Sequence, residues 1–164
     1  MSSEPAPENG YLAEHAALLL RSYRRWIGRD LLDPGLPLPE AARRLYLAPF
    51  VLLSHNNAPD PLFDYANRTA QTRFEMRWHE IVGLPSRLSA EPVAREARAR
   101  LLATVAAQGY IDDYSGVRIA QGGRRFLIRN ATVWNLLDGQ GQAALFSEWQ
   151  EIEPFLSDLR PDLL

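Results

Sequence analysis

The chain has 164 residues, 46% of them apolar, and a formal net charge of -2, as expected of one globular domain with its own core. Its 18 strongly basic residues are all arginine and it has no cysteine. These absences exclude a P-loop, Schiff-base catalysis, disulfides and thiolate chemistry. The charge balance and the polar N-terminus MSSEPAPENG predict a cytoplasmic protein with no nucleic-acid and no membrane partner.

The N-terminal third predicts a tail and a helix. Met1–Gly10 is rich in proline, glutamate and serine, which predicts a disordered tail. Tyr11–Leu31 has apolar residues at steps of three and four, which is typical of an amphipathic helix. The prolines of Asp33–Pro39 end that helix, and a short helical turn follows over Glu40–Tyr46.

The middle of the chain predicts two strands and two helices. Phe50–His55 and Leu62–Asn67 are β-prone runs joined by a turn rich in asparagine, proline and aspartate. A helix then starts near Thr69, with Asn67 or Thr69 as its cap. The clearest helix begins after a Ser89 cap and extends to Gln108, with apolar residues repeating every four positions.

Three further strands end the domain: Tyr114–Ile119, Arg125–Leu137 and Gln142–Trp149. Glycine-rich turns join them, and Asn130 marks a candidate bulge in the long middle strand. The element order predicts an α+β fold, a five-stranded antiparallel sheet with helices on one face and an N-terminal flanking helix. We therefore divide the chain into a tail (1–10), the flanking helix (11–33), the sheet domain (34–150) and a C-terminal tail (151–164).

Three regions of the sequence carry a family resemblance: PFVLLSHNNAPDPLFDYANRTAQTRFEM, LPSRLSAEP and GYIDDYSGVRI with the RRFLIRNATVWNL and GQAALF that follow it. Over roughly Tyr23 to Trp149 the chain resembles the MEKHLA domain family, a branch of PAS-like domains, in its stand-alone bacterial type. The resemblance implies a PAS-like fold and a sensory or regulatory role through ligand or protein binding, not catalysis. The hexapeptide that names the family is absent, and so are the homeodomain and leucine zipper of its plant members.

Large apolar residues of the predicted strands and helices form a candidate pocket. Two interpretations stay open: these side chains line a site for a flat ligand, or they fill the core. The set comprises Phe63, Tyr65, Phe74, Trp78, Phe126, Ile128 and Trp134. No cofactor is predicted. The long helix has no histidine to ligate haem, and the chain has no cysteine to form a light-driven flavin adduct. The three histidines, His15, His55 and His79, lack metal-site spacing. A noncovalent small-molecule ligand stays open.

Two polar sets are candidate sites. His55, Asn57, Asp60 and Asn67 predict a turn network that bonds to backbone, and Ser54, His55 and Asp60 are the alternative of a catalytic trio. Arg118, Arg125 and Arg129 predict either an anion site or the solvated face of the sheet.

Three functions remain open at this point. The first is a sensory or regulatory module that acts on an unknown protein partner. The second is a small isomerase or dehydratase that uses Asp64 or His55. The third is a structural dimerisation module, and the apolar stripe of the N-terminal helix predicts a homodimer.

Overall fold

The computed structural model describes residues 3–90 and 92–152. The five α-helices of this part are α1 (Ala13–Ile27), α2 (Leu38–Tyr46), α3 (Arg68–Phe74), α4 (Trp78–Ile81) and α5 (Pro92–Gln108). The strands are β1 (Val51–Asn56), β2 (Phe63–Ala66), β3 (Tyr110–Ile119), β4 (Arg125–Asn135), β5 (Gly141–Phe146) and β6 (Glu148–Glu151). Short 3₁₀ turns cover Pro7–Asn9 and Ser86–Ser89.

The strands form one antiparallel sheet in the order β2-β1-β5-β4-β3. β5 pairs with one half of β4 and β6 pairs with the other half, so both lie along the same edge of that long strand. The predicted α+β fold is confirmed, with the last predicted strand divided in two. The division between β5 and β6 falls opposite a bulge in β4. At this bulge the register between β4 and β3 shifts.

Asn130 forms this bulge. It has a left-handed backbone (φ 53°), and three steps along β4 from Ile128 to Ala131 face two steps along β3. Side chains of a strand alternate between the faces, so one extra residue exchanges the faces for everything beyond it. Phe126 and Ile128 therefore share a face with Ala131 and Val133, and Trp134 lies on the opposite face.

The inner face of the sheet is the one covered by α3 and α5. Leu101 and Val105 of α5 pack against Val133, and Phe74 of α3 packs edge-on against Phe126, with 5.3 Å between ring centroids. The predicted four-residue repeat holds for Leu101 and Val105, but Ala97 is exposed and Arg98 faces the sheet in its place. This layer of helices separates the inner face from solvent.

The outer face is covered by α1. The buried stripe of α1 includes Leu19 and Tyr23, and the Tyr23 ring lies edge-on to Trp134 at 5.2 Å. The Ser22 hydroxyl accepts a hydrogen bond from the Leu137 amide (2.9 Å). The helix is shorter than predicted because Gly28 adopts a left-handed conformation (φ 85°) at its end.

The segment before α1 differs from the predicted disordered tail over its described residues. Pro7–Asn9 form a 3₁₀ turn, and the Asn9 side chain bonds to the Ala6 amide (2.9 Å) and to the Glu4 carbonyl (2.9 Å). At the other end, Glu151 belongs to β6 and its carboxylate lies 2.7 Å from the Arg73 guanidinium. The rest of the predicted C-terminal tail, residues 153–164, lies outside the described residues.

Asn67 joins three elements beneath the sheet edge. It is fully buried and is the cap of α3, because its Oδ1 accepts from the Ala70 amide (3.0 Å) and from the Leu52 amide (3.1 Å). Its Nδ2 donates to the carbonyls of Leu45 (3.2 Å) and Phe50 (2.8 Å). All four side-chain hydrogen bonds end on backbone groups, so Asn67 fixes α2, β1 and α3 relative to one another.

Candidate functional site

A small cavity of about 60 Å³ lies between the inner face and α5. One buried water needs at least about 10–15 Å³ and takes about 30 Å³ in the liquid, so the cavity has room for only a few water-sized groups. Sites for drug-sized ligands span about 300–1,000 Å³, so neither a flavin nor a haem fits it as it stands. Its walls are mainly apolar and include Leu53, Phe63, Phe74, Leu101, Ile128 and Val133.

Two residues that line this cavity each carry a buried hydrogen-bond acceptor without a donor. His55 and Gln142 are cross-strand partners in β1 and β5. His55 Nδ1 lies 2.8 Å from the Asn56 carbonyl oxygen, which can only accept, so Nδ1 carries the proton and Nε2 of the neutral ring is an acceptor. Gln142 Nε2 donates to Leu102 O (3.2 Å), which leaves Oε1 as the second acceptor. Neither His55 Nε2 nor Gln142 Oε1 has a partner in the described part of the chain.

Burial keeps the His55 ring neutral. Desolvation lowers the pKa of His55, and the positive charge of Arg98 lowers it further. The bond to the Asn56 carbonyl, the charge of Asp64 and the neighbouring Gln142 side chain, which would accept from a protonated ring, all raise it. A neutral ring cannot donate from Nε2, so the cavity presents two unpaired acceptors. An unpaired acceptor in the interior is unfavourable, and a bound donor would relieve it.

Two arginines add positive charge to the same cavity. Arg98 of α5 and Arg118 of β3 both line it, and each has only 8% of its surface exposed. The Arg118 guanidinium donates to Val117 O (2.9 Å) and to Tyr114 Oη (3.0 Å). Arg98 has no hydrogen bond or ion pair within the described ranges, and no Asp or Glu of those ranges lines the cavity. Burial, with the charge of Arg118, lowers the pKa of Arg98 to about 10 against the raising effect of Tyr114 and Asp60, so Arg98 is a cation at neutral pH.

The predicted pocket residues fall into three groups. Phe63, Phe74 and Ile128 line the cavity, and Phe126 lies on the same face but packs between other rings. Tyr65 and Trp78 pack edge-on against each other, with 5.9 Å between centroids, outside the cavity. Trp134 is on the outer face, because the Asn130 bulge exchanges the faces of β4.

The predicted turn network is dispersed. His55 faces the cavity, Asn57 bonds to Gly139 O (3.3 Å), and Asp60 pairs with Arg87 (3.2 Å). Asn67 is the buried helix cap described above. The turn after β1 instead depends on Asn56, whose Oδ1 accepts from the amides of Ala58 (3.2 Å) and Leu62 (2.9 Å).

Of the three predicted anion contacts, the structure brings only Arg118 to the cavity. Arg125 and Arg129 alternate with Phe126 and Ile128 and so belong to the outer face, where Arg129 donates to Gln150 Oε1 (2.9 Å). Sequence reasoning missed Arg98 and Gln142. The spacing of Arg98, Leu101 and Val105 places an arginine on the apolar stripe of α5, and that was a readable signal.

A second polar cluster joins α1 to the outer face. The Ser54 hydroxyl donates to Asp64 Oδ1 (2.5 Å), so His15 Nε2, 2.9 Å from Ser54 Oγ, is the donor in that contact. The His15 ring also packs on Tyr65 at 5.4 Å. The serine is buried and lies between the other two groups, whereas a catalytic triad places the histidine in the middle. The alternative trio with His55 and Asp60 is not formed, and Asp64 lies away from the cavity.

This cluster predicts a loss of stability in mild acid. Burial lowers the pKa of His15, although the charge of Asp64 acts in the opposite direction. The folded pKa then lies below the unfolded value of ~6.5, so the unfolded chain binds more protons as pH falls. We expect the free energy of unfolding to decrease from pH 7.5 to 5.5, and His15→Gln to reduce this dependence. Urea titrations at each pH measure it. His79→Gln, at an exposed histidine, is the control; equal curves for wild type and His15→Gln would contradict the prediction.

Asn135 connects the cavity with one helix on each face of the sheet. Its Oδ1 accepts from Gln142 Nε2 (3.0 Å), and its Nδ2 donates to Val105 O of α5 (3.0 Å). Its backbone carbonyl accepts from Trp26 Nε1 of α1 (3.0 Å). One residue of β4 therefore contacts a cavity side chain, the inner helix and the outer helix.

Comparisons with solved structures show the same fold in PAS and LOV domains. The PAS domain of a protein from Colwellia psychrerythraea aligns with TM-score 0.56 and 14% identity, over 70% of this chain and 96% of that one. The PAS domain of a LuxR-family transcriptional regulator from Burkholderia thailandensis, solved in complex with ethanol, aligns with TM-score 0.53 and 16% identity, over 67% and 95%. A fungal LOV domain photoreceptor aligns with TM-score 0.52 and 18% identity, over 82% and 91%.

The sequence itself identifies the family. No curated protein matches the chain significantly. Within the described residues no helix has the length and apolar character to cross a bilayer, and no group of three or more histidine, aspartate or glutamate side chains is placed to hold a metal. The MEKHLA domain profile matches residues 13–151, from the start of α1 to the end of β6. The chain therefore belongs to the MEKHLA domain family, and its fold is that of a PAS-like domain.

Proposed function

We propose that this chain is a sensory domain whose signal is a small organic molecule bound in the inner-face cavity. The observation that carries the proposal is the pair of unpaired acceptors, His55 Nε2 and Gln142 Oε1, at the wall of that cavity. Interiors normally pair their buried polar atoms, so two unpaired acceptors at one cavity wall favour a ligand that supplies the missing donor. Tyr65 Oη and Trp134 Nε1 are also unpaired, but they lie outside that wall. The ethanol complex of the Burkholderia PAS domain supports a ligand of this small size.

Ligand binding acts on the rest of the protein by shifting a conformational equilibrium. In this proposal α5 and α1 respond, because Asn135 bonds to both helices and to Gln142. The output is association with a protein partner or a second copy of the chain. Since α1 covers Trp134, deleting α1 would expose the outer face of the sheet. Substitution of the half-exposed Leu38, which lies near α1, is therefore the cleaner test of a homodimer.

Filling the cavity tests the proposal directly. Ala131 is fully buried and lines the cavity, so Ala131→Leu places a larger side chain where the ligand would lie. We expect wild-type protein to show shifts of cavity amide resonances with short organic acids, alcohols or amides, and Ala131→Leu to lose them. Two-dimensional NMR of ¹⁵N-labelled protein measures the shifts.

The control for this experiment is Ala107→Leu, which adds the same atoms on the exposed side of α5. It should keep the wild-type response. If no compound of any of the three classes shifts a cavity resonance in the wild type, and native mass spectrometry of freshly purified protein shows no added mass, the cavity is not a ligand site.

A further inference from the structure

The chemistry of the cavity walls points to one class of ligand. Resting on the proposed function, we propose that the cavity binds a short α-hydroxy carboxylate: the carboxylate pairs with Arg98 and Arg118, and the hydroxyl donates to His55 Nε2 or Gln142 Oε1.

The first argument is charge. Arg98 and Arg118 are both more than nine-tenths buried and line one cavity, while no acidic side chain of the described residues does. The charge of Asp60 acts on Arg98, but Asp60 pairs with Arg87 and lies outside the cavity wall. Two buried cations with no counter-charge inside their cavity are unfavourable and repel each other. The penalty is larger for Arg98 than for Arg118, since no described group forms a hydrogen bond or ion pair with it. A guanidinium binds a carboxylate through parallel hydrogen bonds, so an organic acid is the natural counter-charge.

The second argument is the donor. The acceptors His55 Nε2 and Gln142 Oε1 need a hydrogen that a plain carboxylate does not have. An ammonium group would supply it, but it would place a third positive charge beside Arg98 and Arg118. A hydroxyl supplies the hydrogen without charge. An anion that also carries a hydroxyl therefore satisfies both halves of the site, and an amino acid does not.

The third argument is size. Room for only a few water-sized groups limits the ligand to a small acid of two or three carbons. Leu101, Ile128 and Val133 form an apolar wall on which a single methyl group can pack. Glycolate and lactate meet these limits, and a six-membered ring does not.

Calorimetric titration of the full chain tests the ligand class. Lactate is the probe, propionate lacks only the hydroxyl, and lactamide keeps the hydroxyl but lacks the negative charge. We expect lactate to bind at least about tenfold more tightly than either comparator, because each comparator leaves a buried polar group unpaired. Sodium sulfate, an anion without a hydroxyl donor, should not compete with lactate.

A matched pair of variants tests the role of Arg98. Arg98→Met should weaken lactate binding by at least about tenfold and raise the melting temperature of the ligand-free protein, because it removes a largely buried charge that repels Arg118. Arg100 lies on the same helix, is exposed and pairs with Glu96, so Arg100→Met should change neither the lactate affinity nor the melting temperature. The ligand series on wild type stands independently if Arg98→Met does not fold.

The outcomes separate the two proposals. If propionate binds as well as lactate, the hydroxyl contact is wrong, and if lactamide or a short alcohol binds as well, the charge contact is wrong; both leave the cavity a ligand site. If sulfate displaces lactate, the cavity binds anions without regard to the hydroxyl and the proposed ligand class fails. If no compound binds and no cavity resonance shifts, the sensory proposal itself fails.

Discussion

Replacing Asn67 with alanine is expected to destabilise the fold by about 3–5 kcal/mol, because it removes the α3 cap and unpairs several buried backbone groups. The side chain has four hydrogen bonds, to the amides of Leu52 and Ala70 and to the carbonyls of Leu45 and Phe50. Urea unfolding followed by circular dichroism measures the change in the free energy of unfolding.

Asn57→Ala is the matched control for Asn67. The Asn57 side chain is exposed and makes one hydrogen bond, to Gly139 O (3.3 Å), so its loss should stay within about 0.5 kcal/mol. Asn67→Asp is a second comparison, because it keeps the cap acceptor and loses both donors. Equal stabilities of wild type and Asn67→Ala would show that the three elements do not depend on this side chain.

Trp134→Ala should also destabilise the fold by about 3–5 kcal/mol, since it removes a fully buried aromatic side chain and leaves a void. The void forms under α1, where the Trp134 ring meets Tyr23. Trp134 points away from the inner-face cavity, so a ligand of that cavity should still raise the melting temperature of the variant. Thermal unfolding with and without lactate measures both effects.

Leu137→Ala provides the control for Trp134. Leu137 has 46% of its surface exposed and lies near the same end of the sheet, so its truncation should be close to neutral. If Trp134→Ala abolished ligand binding while the protein remained folded, Trp134 would have a role in the site that its position on the outer face does not explain.

The elements that the sequence predicts well are those specified by neighbouring residues. β1 and β2 appear within one residue of the predicted runs, and Asn67 caps α3 as one of two predicted caps. Such features depend on local propensity, glycine and proline positions and side-chain caps. The antiparallel meander is likewise readable because its turns are short.

The faces of the sheet are harder to predict, because the face of each side chain depends on how many residues, bulges included, precede it in the strand. A single extra residue at Asn130 changes which side chains of β4 point inward, and it moves Trp134 from the predicted pocket to the outer face. Asn130 is a candidate bulge in the sequence, but the alternation of side chains without a bulge places Trp134 on the same face as Phe126 and Ile128. Face assignments beyond a bulge therefore need the strand pairing, which is a long-range property.

The polar site could be predicted only in part. The sequence predicts His55 as part of a turn network and Arg118 as an anion contact. No local sequence pattern connects either residue with Arg98 or Gln142. The cavity forms where β1, β5, β3 and α5 meet, so its chemistry joins residues more than 40 positions apart. Sequence patterns identify which residues face the core, and the fold decides which of those residues meet.

Asn135 has a consequence for how such a domain can change over evolutionary time. The residue that orients Gln142 also bonds to α5 and, through its carbonyl, to Trp26 of α1. A substitution selected at this position for a new ligand would therefore alter the seating of both helices in the same step. We expect ligand preference to diversify first at positions outside this junction, such as Arg98 and Ile128, where recognition changes without a matching change in output.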